Sequence, residues 1–308
     1  MSRRVLVTGC SGFLGHYLAQ FLVEEGHQVF GTYHRNRLAL EGVQVILCDL
    51  TSRSSVEQAV KKSRPDLIFH LGGQTNIPTS WKDFEGTFQV NVFGTYYLLE
   101  AVRESETPSR VVIAGSSSEY GPVHDGVLLD ENAPFKPTNP YALSKVSVDH
   151  LARAYFKTFG LPVVRVIPFY VIGPRKEPDA PSDFAKAIAG YRRGKIDGLR
   201  VGNLNSVRDV IDVRDAVRAL WLIGERGEPG TAYNLCTGKE ITLQGILQKM
   251  LKLSRADLQV VVDPAKLRVG DETRVVGNSE RLKQLGWKPT FSIDETLKSI
   301  LDYWMDKA

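Results

Sequence analysis

The segment that most constrains this chain is Arg4-Val5-Leu6-Val7-Thr8-Gly9-Cys10-Ser11-Gly12-Phe13-Leu14-Gly15. A short β-branched run leads into glycines spaced GxxGxxG, and an amphipathic stretch follows. This order reads as strand, tight turn and helix. The first glycine permits the turn, the second lets backbone approach a pyrophosphate, and the third lets the helix pack on the strand. The helix amino terminus adds unpaired N–H groups and a positive dipole end, both suited to an anion. Gly9, Ser11, Gly12, Phe13, Leu14 and Gly15 are therefore candidate dinucleotide contacts. Glycines also serve ordinary turns, so a nucleotide-free α/β domain remains the alternative.

The same alternation continues through the first half. Strands are expected at Arg4–Thr8, Gln28–Thr32, Val43–Cys48, Leu67–Leu71, Arg110–Gly115 and Val163–Pro168. Helices are expected at Gly12–Glu25, Ser54–Lys62, Glu85–Glu104 and Asn139–Phe159. Strands alternating with helices imply βαβ units, hence a parallel sheet covered on both faces. Runs such as Leu67-Ile68-Phe69 suit strands buried on both sides. The fold class is thus α/β: a Rossmann-type doubly wound parallel sheet with a smaller, interleaved C-terminal substrate domain. After Pro168 the pattern turns irregular, with Pro174, Pro178 and Pro181 forming a loop before a helix near Ser182–Arg193. The expected division is 1–168 with 208–236 for the dinucleotide-binding domain, and 169–207 with 237–308 for the substrate domain. At 308 residues with 43% hydrophobic content, the chain can bury a core of that size.

Several function classes are set aside. No stretch approaches 18 apolar residues, so no membrane partner is expected. Met1-Ser2-Arg3-Arg4 runs straight into the first strand, with no apolar signal core. Net charge is +4 without a long basic block, which argues against nucleic acid. Cys10, Cys48 and Cys236 form no CxxC pair and no metal framework, and the six histidines make no HxxxH or HExxH. No metal is expected, the thiols read as buried and reduced, and the cytoplasm is the expected location.

The second strand ends in Thr32-Tyr33-His34-Arg35 with no acid at its tip. An acid there would bind a ribose 2′-hydroxyl and select NAD, whereas Arg35 and His34 suit the 2′-phosphate of NADP. NADP(H) is the preferred cofactor, NAD(H) the alternative, and a solvated basic loop the reading that needs no ligand. Asp49 and Leu50, after the third strand, are expected beside the adenine. Tyr141-Ala142-Leu143-Ser144-Lys145 is YxxxK behind Asn139-Pro140. Spacing i, i+4 puts phenol and ammonium on one helical face, and the ammonium favours phenolate. Gly115-Ser116-Ser117-Ser118-Glu119-Tyr120-Gly121 adds hydroxyls at a strand's carboxyl end.

Taken together, these motifs resemble the extended short-chain dehydrogenase/reductases that modify nucleotide sugars, almost end to end. Further landmarks are His70-Leu71-Gly72-Gly73 and Asn91-Val92-Phe93-Gly94-Thr95. Within that group the chain is most similar to the bacterial reductases of GDP-4-keto-6-deoxy-D-mannose, through Val207-Arg208-Asp209-Val210-Ile211-Asp212-Val213 and Leu285-Gly286-Trp287-Lys288-Pro289. The family's catalytic serine stands four residues before the Tyr-Gly tyrosine and 25 before the catalytic tyrosine, and both counts select Ser116. The resemblance implies Ser116 polarising a carbonyl, Tyr141 as general acid and Lys145 holding the nicotinamide ribose. It places Leu71, Gly72, Gly73 and Pro168 with the cofactor contacts. Thr75, Ser117, Ser118, Tyr170, Arg208 and Arg268 fall on the substrate side, the two arginines as clamps on a pyrophosphate. It also implies a homodimer formed by packing the helices of Glu85–Glu104 and Asn139–Phe159 into a four-helix bundle.

Departures from the family pattern lie at Ile167-Pro168-Phe169-Tyr170-Val171, where the reductases carry Arg-Pro-Phe-Asn-His, and at Arg175-Lys176, where they carry Gly-Gln. The leading expectation is an NADPH-dependent reductase of the C4 ketone of a nucleoside-diphosphate 4-keto-6-deoxyhexose, with a GDP-sugar as partner (GDP-4-keto-6-deoxymannose to GDP-rhamnose type). The rivals are a 4,6-dehydratase and a 4-epimerase, and more remotely a non-enzymatic NADP-sensing protein. A dehydratase needs a further carboxyl acid/base two residues before Tyr120, where this chain has Ser118. Glu119 is one residue later, which on an extended strand would face the other way unless a bulge turns it back, so the dehydratase is disfavoured and not excluded.

Overall fold

The computed structural model describes residues 2–36, 40–105, 108–123, 126–266 and 273–307. The chain opens with β1 (Arg4–Thr8), α1 (Phe13–Glu24), β2 (Gln28–Tyr33), β3 (Val43–Leu47), α2 (Arg53–Ser63) and β4 (Leu67–His70). Next come α3 (Ile77–Lys82), α4 (Phe84–Phe88), α5 (Gly94–Arg103), β5 (Arg110–Ala114), α6 (Pro140–Phe159) and β6 (Val163–Pro168). The second half runs β7 (Tyr170–Ile172), α7 (Ala180–Arg192), β8 (Gly198–Val201), β9 (Val207–Asp212), α8 (Val213–Arg226) and β10 (Ala232–Leu235). It closes with β11 (Glu240–Thr242), α9 (Leu243–Ser254), β12 (Gln259–Val262), β13 (Arg274–Val275), α10 (Glu280–Gln284) and α11 (Ile293–Lys307).

Seven strands form one parallel sheet in the order β3-β2-β1-β4-β5-β6-β10. The chain winds outward from β1 on one side and from β4 on the other. Their carboxyl ends therefore flank the switch point where such sheets bind ligands. Alternate strand residues serve opposite helical layers. Val5 and Val7 of β1, with Val112 of β5, face α1 and α8 through Leu18, Leu22, Leu220 and Ile223. Leu6 and Ile113 face α2, α5 and α6 through Val56, Leu99, Val102 and Val148. Burial on both faces explains why these strands read as unbroken apolar runs.

A smaller unit is built from the second half, while α10 packs back against β10. β7, β11 and β13 pair with β9, β8 pairs with β12, and α7, α9 and α11 pack around Ile172, Ile188, Ile246 and Leu297. Within 208–236, which the expected division gives to the dinucleotide-binding domain, β9 pairs with β7 in register Tyr170↔Val210, while β10 pairs with β6 in the seven-stranded sheet. The chain re-enters the larger layer only at α8. Helix Glu85–Glu104 also differs from expectation: α4 and α5 are joined by a π turn over Gln89–Phe93, where one extra residue is accommodated. Among the described residues, no helix is long and apolar enough to cross a membrane.

Candidate active site

The floor of the site is the contact between the ends of β1 and β4. Gly9 has φ +68°, and a Cβ there would lie 2.6 Å from Cα of Gly72. Behind it, Thr8 Oγ1 accepts the Gly72 N–H at 3.1 Å and lies 2.8 Å from His70 Nδ1. His70 Nε2 is 3.0 Å from Thr95 Oγ1. Burial, aided by the Lys145 charge, lowers the His70 pKa to about 3, so this chain of bonds is neutral at working pH. Helix α1 begins at Gly12 with no side-chain cap, which leaves its first-turn N–H groups to an outside acceptor. Gly15 closes on Gly9 so tightly that a side chain would overlap the Gly9 carbonyl. An open helix end over a glycine cradle fits a dinucleotide pyrophosphate.

Three devices seat the amino end of α6. Asn139 Oδ1 accepts the Ala142 N–H at 2.9 Å, Pro140 occupies the first turn, and Ser80 Oγ accepts the Tyr141 N–H at 3.2 Å. Tyr141 and Lys145, one turn apart, are both nearly buried. Lys145 Nζ donates to the Ala114 carbonyl at 2.8 Å, at the end of β5. Burial lowers its pKa to about 8, and the charge of Glu119 opposes that shift. α6 packs against the turn that follows Ser116, so the strand end and the YxxxK helix meet as the motifs suggest.

That turn bears on where Glu119 can reach. Residues 117–119 form a single 3-10 turn capped by Ser116, not extended strand. Ser116 Oγ accepts the Ser118 N–H at 3.3 Å, and Glu119 Oε1 accepts the Ser116 N–H at 2.7 Å. Curling back this way carries Glu119 under the backbone, where its exposure is 0%. Ser117 and Ser118 stay half-buried on the outside of the turn. Burial, then the nearby Asp149 carboxylate, raises the Glu119 pKa to about 8. Asp149 itself bonds Arg165 at 2.5 Å, bridging α6 to β6.

The other predicted residues lie on neighbouring strand ends and the loops beyond them. His34 and Arg35 are exposed just beyond β2, and His34 Nε2 lies 3.7 Å from Asp49 Oδ2. The other Asp49 oxygen takes the Thr51 N–H and hydroxyl at 2.9 and 2.7 Å. These bonds hold the Asp49 pKa below its usual value, with the charges of His34 and Arg35 adding to the effect. Leu50 packs over Gly72 and Gly94, beside Leu71 and Gly73 at the end of β4. Thr75 is exposed in the loop before α3. Pro168 ends β6, and Tyr170 follows with its hydroxyl donated to Asp179 at 2.8 Å. Lys176 lies 4.4 Å from the Tyr170 ring centre and 3.0 Å from Asp179. Arg208 Nη1 donates to the Val207 carbonyl at 2.9 Å, and its charge reaches the buried Tyr170 hydroxyl. Arg268 lies outside the described residues.

Asn91, in the π turn, is an organising residue not among the predicted site residues. Its side chain accepts the Gln74 N–H at 2.7 Å and donates to the Gln74 carbonyl and Ser144 Oγ, both at 2.9 Å. It thereby locks the loop after β4 to α6. The Asn91–Thr95 landmark was the available signal. Nothing local marked Lys176 and Asp179 as companions of Tyr170.

A model of the family described as GDP-mannose 4,6 dehydratase matches residues 6–300. The GDP-6-deoxy-D-mannose reductase of Pseudomonas aeruginosa is 32% identical over 315 aligned positions, covering 100% of this chain and 99% of that one. Among solved structures, RMD from Pseudomonas aeruginosa complexed with NADPH superposes with a TM-score of 0.88 at 29% identity, covering 100% of both chains. The UDP-glucose 4-epimerase of Thermus thermophilus in complex with NAD superposes with a TM-score of 0.89 at 29% identity, covering 98% of each.

Proposed function

The chain belongs to the GDP-mannose 4,6 dehydratase family, within the extended short-chain dehydrogenase/reductases, and we propose that it is the reductase that follows such a dehydration. It takes a nucleoside-diphosphate 4-keto-6-deoxyhexose, with GDP as the favoured nucleotide, and reduces its C4 ketone at the expense of NADPH. The observation that carries this reading is the fate of the carboxylate. Elimination needs an acid/base facing the sugar, but Ser118 stands at that place and Glu119 is sealed beneath the turn, bonded to the Ser116 N–H. Ketone reduction needs only Ser116, Tyr141 and Lys145. The likeness to a GDP-6-deoxy-D-mannose reductase and to an NADPH complex supports the same choice.

Bound NADPH supplies the hydride that reaches C4. Gly9, Ser11, Gly12, Phe13, Leu14 and Gly15 hold its pyrophosphate, His34 and Arg35 its 2′-phosphate, and Asp49 and Leu50 its adenine end. Leu71, Gly72, Gly73 and Pro168 would complete the cofactor's contacts. Ser116 Oγ already accepts the Ser118 N–H, so its own hydrogen is available to the substrate carbonyl oxygen. Tyr141 gives its proton to that oxygen as charge develops, and the Lys145 ammonium holds the resulting phenolate. One such preorganised donor contributes about 3 kcal/mol to the barrier reduction. Thr75, Ser117, Ser118, Tyr170, Arg208 and Arg268 take the nucleotide sugar, the arginines at its diphosphate.

The protein works as a homodimer through a four-helix bundle of α4–α5 and α6, where Phe84, Phe93 and Leu143 are exposed large apolar side chains. Its buried free thiols Cys10, Cys48 and Cys236 suit a reducing compartment, the cytoplasm. The deciding experiment follows reduced-nicotinamide absorbance. One NADPH is consumed for each GDP-4-keto-6-deoxymannose reduced, and GDP-mannose with NADP⁺ yields no keto sugar. Dehydration of GDP-mannose without net cofactor change overturns the reading.

A further inference from the structure

Glu119 is a buried ionisable group beside the centre to which the reduction proposed above gives no part. Glu119 Oε1 takes the Ser116 N–H and lies against Gly115, where a Cβ would overlap it; Glu119 Oε2 is buried with no hydrogen-bond partner. Gly115 follows Ala114, whose carbonyl receives Lys145 Nζ. The carboxylate and the ammonium therefore bond residues on either side of Gly115, at the end of one strand. The other charged groups nearby are Asp149 on α6 and Arg165 on β6, which bond each other at 2.5 Å, and His70 on β4, which is neutral. With Arg165 answering Asp149, Glu119 is the carboxylate left to answer Lys145.

We infer that Glu119 is a positioning residue of the Ser–Tyr–Lys centre: it ties down the Ser116 turn and, when ionised, supplies the counter-charge that keeps the Lys145 ammonium protonated. The inference rests on the reduction proposed above. Lys145 has lost most of its water, which favours the neutral amine, and a neutral amine cannot hold the Tyr141 phenolate. Burial moves Glu119 up and Lys145 down to about 8, so the two titrate in one range as a coupled pair. Below that range Glu119 carries a proton and Lys145 is charged unaided. Above it, loss of the Glu119 proton leaves a carboxylate that opposes loss of the second proton from Lys145. Glu119 thus extends towards alkaline pH the range in which the centre works.

Glu119→Gln keeps an acceptor for the Ser116 N–H and removes the charge. In NADPH-dependent ketone reduction followed from pH 6 to 9.5, the alkaline limb of kcat/KM moves down by about one pH unit, so the loss at pH 9 exceeds the loss at pH 6 by about tenfold. Glu119→Ala, which also loses the acceptor, falls at every pH. Equal losses of the Gln variant at pH 6 and pH 9 overturn the inference and leave the reductase reading standing. A second measurement needs no turnover. In protein labelled with carboxyl-13C glutamate, one resonance titrates far above the ordinary carboxylate range, is absent from Glu119→Gln, and moves higher still in Lys145→Met. Ordinary titration of that resonance, or indifference to Lys145→Met, overturns the inference. Failure of the wild-type protein to oxidise NADPH with any nucleotide keto sugar overturns the function proposed above, while the carboxyl titration still decides the Glu119–Lys145 coupling.

Discussion

Gly9→Ala tests whether the phosphate loop is held in place by the approach of two strand ends. A Cβ at Gly9 would lie 2.6 Å from Cα of Gly72 and 2.8 Å from its nitrogen, whereas ordinary contact begins at 3.4 Å. The ends of β1 and β4 must therefore part by about 0.8 Å. Both obstructing atoms are backbone, so neither can rotate aside. An L side chain at this left-handed φ costs about 1–2 kcal/mol, and the overlap adds about 1–3 kcal/mol. Gly26 provides the control, with φ +81° and nothing within 4 Å of its Cβ, so Gly26→Ala incurs only the first cost. Stability loss from urea unfolding is then about 1–2 kcal/mol for Gly26→Ala and about 2–5 kcal/mol for Gly9→Ala. Cofactor binding separates them further. Moving a loop donor by the same 0.8 Å stretches a hydrogen bond beyond useful range, and one bond to a charged oxygen is worth about 1.5–3 kcal/mol. By intrinsic fluorescence, Gly9→Ala binds NADPH at least about tenfold more weakly, and Gly26→Ala binds it as the wild type does. If the two variants lose equal stability and both keep wild-type affinity, the strand-contact argument is wrong.

Four further outcomes follow from the same geometry. Tyr141→Phe keeps NADPH affinity within a few-fold but lowers single-turnover reduction by about 100-fold or more, as expected for a positioned acid; an unchanged rate removes Tyr141 from the chemistry. Arg35→Ala weakens NADPH more than NADH in parallel titrations, and equal effects on both cofactors dismiss the 2′-phosphate contact. Asp149→Ala strands Arg165 in the interior and lowers unfolding free energy by about 3–5 kcal/mol in urea, with a smaller loss when Arg165→Met is added. His70 has its folded pKa lowered to about 3 while the unfolded chain takes that proton near pH 6.5. Its contribution to stability is therefore present above pH 6.5 and is lost as pH falls towards 3, at about 1.4 kcal/mol per unit. In His70→Asn the urea midpoint should fall less steeply between pH 6 and 4 than in the wild type, and matching slopes would show that His70 titrates normally.

What the sequence determined by itself is what short-range chemistry controls. β1 and β6 have the bounds their apolar runs suggest, and the other early strands differ by a residue. The GxxGxxG turn, the Asn139 cap and the YxxxK spacing each act within a few residues, so each was legible before any packing was known. The serine count pointed to Ser116 only with the help of a family resemblance. Tertiary structure alone decided the rest. β9, half of whose residues are charged, is placed by its pairing with β7, β11 and β13, which lie elsewhere in the chain. The π turn of Gln89–Phe93 has no local signature, and its effect is to aim Asn91 at Gln74 and Ser144. Glu119 is the sharpest case. A pattern of period two puts it on one face or the other of a strand, but the strand ends at Ala114 and a turn capped by Ser116 folds the carboxylate beneath its own backbone. Whether a carboxylate meets substrate or lysine depends on what covers it, and α6 packs over this turn from a position only the folded sheet sets.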